Sequence, residues 1–131
     1  MSDLGGTVLI MLTLVISYLY LSRSASIYVL VHLFVAGYMN GFQKLFYQQP
    51  RPFWVDSGVK AIMCGRDFGM PSGHSSNSMH ISVMIGFELI SNGYSWGLTS
   101  WIIGLIGVPL TVGISRLYVG VHSIDQVLMG W

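Results

Sequence analysis

Charge is what this sequence has least of: six basic and five acidic residues among 131, or 8% charged, where an average soluble domain has about 25%. With so few cations and a net charge of +1, no basic patch exists to hold a phosphate backbone, and no nucleic-acid partner is expected. Cysteine is nearly missing as well. The lone Cys64 excludes an internal disulfide. Four histidines and one cysteine show no paired ligand spacing, so neither a metal nor another cofactor is expected. The sequence also lacks an Asn-x-Ser/Thr acceptor, internal repeats and low-complexity tracts.

What is abundant is apolar surface: 53% of residues are hydrophobic and the mean hydropathy is +0.64. Residues 5–22 form an uncharged run close to the roughly 20 residues a helix needs to cross about 30 Å of hydrocarbon. Asp3 precedes it with no basic flank or small-residue cleavage site, which reads as a retained span. A second span runs over 25–46, with Gly37 and Gly41 at a spacing that permits close helix approach. His32 within it reads as hydrogen-bonded to a neighbouring helix. Residues 47–72 carry Pro50, Pro52, Pro71 and five charges, which preclude a lipid-exposed span and make this the long polar connection; Phe53-Trp54 suits the headgroup level. Apolar character returns over 74–90, where Glu88 calls for a local partner or for snorkelling toward the helix end, and again over 96–114 after a turn at 91–95, with a kink at Pro109.

The expected architecture is an all-α, polytopic transmembrane helix bundle of about five helices, with residues 1–131 as one membrane-embedded domain. The last helix is cut short: begun near Val121 it would hold about eleven residues, too few to cross. The chain is accordingly expected to be truncated at its C-terminus.

Counting crossings puts three polar segments on one face: Lys44 to Pro52, Pro71 to His74, and Ser115 to Gln126. Together they form a phosphate pocket. Lys44, Arg51 and Arg116 supply cations for the equatorial oxygens, the arginines through a planar fork. Ser72-Gly73-His74 opens a helix, whose unpaired N–H groups and partial positive charge suit an anion, and glycine allows close approach. The Pro-Ser-Gly run suits a plain helix cap and turn equally well. The two histidines divide the chemistry: His122 attacks phosphorus, and His74 protonates the leaving group and later activates water. The nucleophile needs a partner on its other nitrogen, and at helical spacing that is Asp125 or Gln126.

Lys44, six residues, then Arg51-Pro52; Pro71-Ser72-Gly73-His74; and Ser115-Arg116, five residues, then His122: this ordered set resembles the signature of the type 2 phosphatidic acid phosphatase superfamily over residues 44 to 126. That superfamily includes lipid phosphate phosphatases, glucose-6-phosphatases and sphingosine-1-phosphate phosphatases, with vanadium haloperoxidases as soluble relatives. The resemblance implies that Lys44, Arg51, Ser72, Gly73 and Arg116 bind phosphate, that His74 is the acid and His122 the nucleophile. It also implies a six-span fold and a site facing the lumen or the outside, as in an endoplasmic reticulum enzyme. One position departs: the family usually has aspartate four residues after the nucleophile, where this chain has Gln126, with Asp125 one place earlier. Glucose-6-phosphatases are similar in having glutamine there and in the Arg-Pro-aromatic-aromatic run that Arg51-Pro52-Phe53-Trp54 resembles. The expected activity is metal-independent hydrolysis of a phosphomonoester through a phosphohistidine. The expected partners are a phosphorylated lipid or a sugar phosphate, and the bilayer; a headgroup-binding membrane protein without turnover is the non-enzymatic alternative.

Overall fold

A computed structural model describes residues 7–20, 22–93 and 97–131. The ends of the expected first span (Gly5, Gly6 and Leu21), Asp3 before it, Tyr94-Ser95 of the expected turn and Trp96 lie outside the described residues. Every regular element among the described residues is helical: α1 (Thr7–Tyr20), α2 (Arg23–Tyr47), the short α3 (Pro52–Val55), α4 (Gly73–Ser91), α5 (Leu98–Ile102), α6 (Val108–Tyr118) and α7 (Ile124–Gly130). A π-helical turn, Ile103–Gly107, joins α5 to α6 without a break. It stands where Pro109 was expected to kink the span: proline offers no N–H to the preceding turn, and the backbone takes up the irregularity just before it.

The packing inverts the pattern of a water-soluble bundle. Large apolar side chains such as Leu19, Phe34, Phe42, Phe46, Phe87 and Ile114 point outward. Ser75, Ser78 and Ser82, at helical spacing on α4, are buried, as is Ser72 just before it. Small residues between helices and bulky ones outside is the arrangement that lipid favours, because lipid tails already solvate the bulky groups while small residues let backbones approach. Two helical stretches, Arg23–Val55 and Thr99–Tyr118, are long and apolar enough to cross a bilayer. The apolar core is accordingly thin, with Val29, Leu33 and Ile81 joined by Ile10, Leu14 and Met84.

α4 is the central helix, packed against α2, α6, α7 and the π-turn. The close approaches do not fall at the expected Gly37 and Gly41, which face outward on α2 and where an added Cβ would meet nothing within 4 Å. They fall at Gly86, against Trp101 and Leu105, and at Gly130, where a Cβ would come within 2.7 Å of the Ser72 carbonyl oxygen. Two polar residues inside the spans are resolved locally. His32 pairs with the Tyr28 carbonyl of its own helix at 3.0 Å, not with a neighbouring helix. Glu88 accepts from Asn92 Nδ2 at 3.0 Å.

These contacts separate two glycines that look alike in the sequence. Gly130→Ala pushes α7 off the backbone of α4 and is expected to cost about 1–3 kcal/mol. Gly37→Ala meets nothing and is expected to be neutral or to stabilise by up to about 1 kcal/mol through helix propensity. Thermal unfolding of the two variants in detergent checks the order; equal effects would contradict the packing.

Candidate active site

Helix α2 ends at Gln48, whose left-handed backbone (φ 47°) turns the chain sharply while its N–H closes on the Lys44 carbonyl. The turn brings Arg51 back beside Lys44. The long connection that follows is pinned to the loop after α6: Ile62 N–H donates to the Val119 carbonyl at 3.0 Å, and Gly120 (φ 75°) packs against the backbone of Lys60 and Ala61. Only glycine takes that backbone angle without strain. The start of α4 is tied to α7 by a bond from Ser72 N–H to the Gln126 carbonyl at 2.9 Å.

These ties converge on one cavity, lined by Lys44, Arg51, Gly65, Asp67, Gly73, His74, Arg116 and His122, with Met63, Cys64 and Val121 completing the wall. Six of the residues expected at a phosphate pocket therefore meet, from the three polar segments of the chain. Three expected residues, Ser72, Asp125 and Gln126, do not line it. Ser72 is fully buried, and its hydroxyl caps α4, accepting from the Ser75 N–H and the Ser75 hydroxyl. Ser72 is thus the N-cap of α4, while Gly73 of the same run lines the cavity. Asp125 is exposed and accepts from Gln49 Nε2 at 2.7 Å, away from the imidazole it was expected to orient. The helical spacing that pointed to Asp125 does not apply, because α7 begins at Ile124, after His122.

Gln126 holds that position instead. Its Nε2 donates to the Pro50 carbonyl at 2.9 Å, and its Oε1 accepts from Ser123 N–H at 3.3 Å, so the amide has one possible orientation. Oε1 also lies 3.2 Å from His122 Nδ1, which must therefore carry the proton. Nε2 of His122 is then the unprotonated nitrogen, and it lies 3.4 Å from Arg51 Nη1. Burial lowers the His122 pKa, the Arg51 charge lowers it further and the Gln126 bond partly opposes both; the result is about 4, so the ring is neutral at physiological pH.

Asp67 is the residue that the sequence pattern leaves as one more charge of the connection. Its carboxylate pairs with Lys44 and, at 2.6 Å, with Arg51 Nη2. Partial burial alone would raise its pKa, but the hydrogen bonds and charges of Lys44 and Arg51 prevail and hold it at about 2. The available signal was electrostatic: cations gathered in one pocket call for a counter-ion, and the connection offers only Asp56 and Asp67. His74, at the first turn of α4, has its Nε2 buried with no hydrogen-bond partner among the described residues. Arg116 stands in the last turn of α6, its Nε donating to the Ser115 hydroxyl at 3.2 Å.

The cavity can be probed without reference to chemistry. Cys64 is exposed and on its wall, so a methanethiosulfonate reagent is expected to label it, and vanadate, a tetrahedral oxyanion, is expected to slow the labelling. Equal rates with and without vanadate would show that oxyanions bind elsewhere.

No curated protein sequence matches the chain. Among solved structures it is similar to the crystal structure of a transmembrane PAP2-type phosphatidylglycerolphosphate phosphatase from Bacillus subtilis, at 25% identity and a TM-score of 0.73. The match covers 98% of this chain and 64% of that one, so the chain spans a little under two thirds of that structure's length. That likeness and the outward-facing apolar helices make this an integral membrane protein. The sequence pattern of the PAP2 superfamily matches residues 25–131, and the chain belongs to that superfamily.

Proposed function

We propose that the protein is a metal-independent phosphatase that hydrolyses a lipid phosphomonoester through a phosphohistidine. The observation that carries this is the orientation of His122: its Nδ1 proton is fixed by Gln126, and its Nε2 lone pair is directed toward Arg51 in a cavity that also holds Lys44, Arg116 and His74. In the first step His122 Nε2 bonds to phosphorus as the bond to the substrate oxygen breaks, and protonated His74 gives its proton to the departing alkoxide. In the second, neutral His74 takes a proton from water as the water oxygen displaces Nε2, releasing phosphate and restoring both rings. Lys44, Arg51, Arg116 and the backbone at Gly73 hold the equatorial oxygens, and this electrostatic support is the main catalytic resource for phosphoryl transfer.

A lipid substrate is favoured over a sugar phosphate because the pocket is carried on helices whose bulky apolar side chains face outward, as in a protein that works among lipids. The related Bacillus enzyme acts on phosphatidylglycerolphosphate, which makes that lipid the first to assay here. In this reading residues 1–131 act as one membrane-embedded unit whose pocket faces the lumen or the outside. Lys44 and Arg51 are committed to the pocket and so give no positive-inside signal.

The test is phosphate release by purified protein in the presence of a chelator, with phosphatidylglycerolphosphate and glucose-6-phosphate compared. Expected is preference for the lipid and a loss of at least about 10⁴-fold in kcat for His122→Ala. Faster release from the sugar phosphate would reverse the substrate assignment, and an active His122→Ala would remove the phosphohistidine.

The pH dependence has a definite sign. His122 reacts only as the neutral ring, and its pKa is lowered to about 4. His74 must be protonated to act as the acid, and burial together with the charges of Arg116, Lys44 and Arg51 lowers its pKa to about 4 as well. Once the substrate's own titration is allowed for, kcat/KM is therefore expected to rise as pH falls from neutral toward about 4 and to fall below it. A fall centred near 6.5, the ordinary histidine value, would contradict the burial of this ring.

A further inference from the structure

Among the described residues that line the cavity, Asp67 is the one carboxylate, and the assignments above give it no role. We propose that Asp67 is the positioning residue of the phosphate cradle, clamping one edge of Arg51 and the ammonium of Lys44 so that the remaining end of Arg51 faces His122 Nε2. The inference rests on the reading of the pocket as a phosphatase site.

A guanidinium has five N–H donors in a rigid plane. The edge formed by Nε and Nη2 is taken by Asp67 alone, through its carbonyl oxygen at 2.8 Å and its carboxylate at 2.6 Å. Nη1 donates to the Val121 carbonyl at 3.0 Å and lies 3.4 Å from His122 Nε2. Of the five donors this leaves one Nη2 N–H for a phosphate oxygen, and the Nη1 N–H that faces His122 Nε2 becomes a second when that nitrogen bonds to phosphorus. The second carboxylate oxygen of Asp67 holds Lys44, so the two cations are spaced by one rigid group.

The face of the guanidinium is shaped by the same short stretch. A Cβ at Gly65 would stand 2.3 Å from Arg51 Cζ and Nε, so the backbone at 65 covers Arg51 only because that residue is glycine. Residues 65–67 therefore fit Arg51 on a face and on an edge. The Asp67 side chain is 58% exposed, so solvent screens its charge and the effect rests on direction rather than on Coulomb energy. The opposite role, a carboxylate that competes with phosphate for the same donors, predicts the opposite sign in one measurement.

That measurement is competitive inhibition by vanadate, alongside kcat and KM for phosphatidylglycerolphosphate, on the full chain in detergent. If Asp67 positions the cations, Asp67→Ala raises the vanadate Ki and lowers kcat, each by about tenfold or more, because a misplaced donor serves the transition state least. Asp67→Asn, which keeps an acceptor for Arg51, loses less than Asp67→Ala. Gly65→Ala displaces Arg51 from its face and gives the same split with Asp67 intact. An unchanged or lower vanadate Ki in folded Asp67→Ala overturns the inference, and the lower value would make Asp67 a competitor. Should Asp67→Ala fail to fold by size exclusion, Asp67→Asn and Gly65→Ala decide by the same criterion. An inactive wild type would overturn the phosphatase reading itself; an active wild type with unaltered Asp67 variants overturns only this inference.

Discussion

The side-chain amide of Gln126 is the joint on which the pocket turns. It is almost completely buried and has three partners from three places: Pro50 after α2, Ser123 at the head of α7, and the His122 ring. Flipping the amide would place two donors against each other at Ser123 and two acceptors against each other at Pro50, each an unmet polar group in a dry setting. One amide therefore fixes a tautomer and at the same time ties the segment that bears Arg51 to the segment that bears His122. A Cβ at Gly69 would fall 2.5 Å from the amide, so the polar connection closes directly over it.

Lipid sets the terms for everything around that joint. With bulky side chains already solvated by the bilayer, burial of Leu or Phe does not drive helix association, and cohesion comes from close backbone approach and hydrogen bonds. The serines of α4 and Gly130 of α7 answer this need, and a backbone bond from Ser72 to Gln126 joins the two helices at their polar ends.

Much of this is legible in the chain itself. The run of apolar segments marks out the helices, and the parity of crossings is enough to bring Lys44, Arg51, Gly73, His74, Arg116 and His122 to one face. What is not legible depends on where a helix starts by a residue or two. His122 lies before α7, so counting helical turns from it points to Asp125, whereas the pattern Ser123-x-x-Gln126 at a helix head predicts a glutamine side chain folded back toward the residues before it. Ser72 shows the same ambiguity, since cap and ligand ask for the same hydroxyl. Gly37 and Gly41 carry a packing motif that has no helix against it, while the working contacts fall at glycines with no motif. Asp67 is separated from Arg51 by a loop whose path no periodicity encodes, and only the need to balance charge singles it out.

The π-turn at Ile103–Gly107 sets the azimuth of everything after it. One extra residue in a helical turn rotates the downstream half by about 100° relative to an unbroken helix. Gly113, which makes room for Val127 and Trp131, and Arg116, one turn on, both lie beyond it. The membrane span is in effect two half-cylinders set out of phase, the first facing Gly86 of α4 and the second aiming a guanidinium at the pocket. The aim of Arg116 is thus encoded more than two turns upstream, in a stretch of isoleucine, leucine and glycine that carries no polar side chain at all.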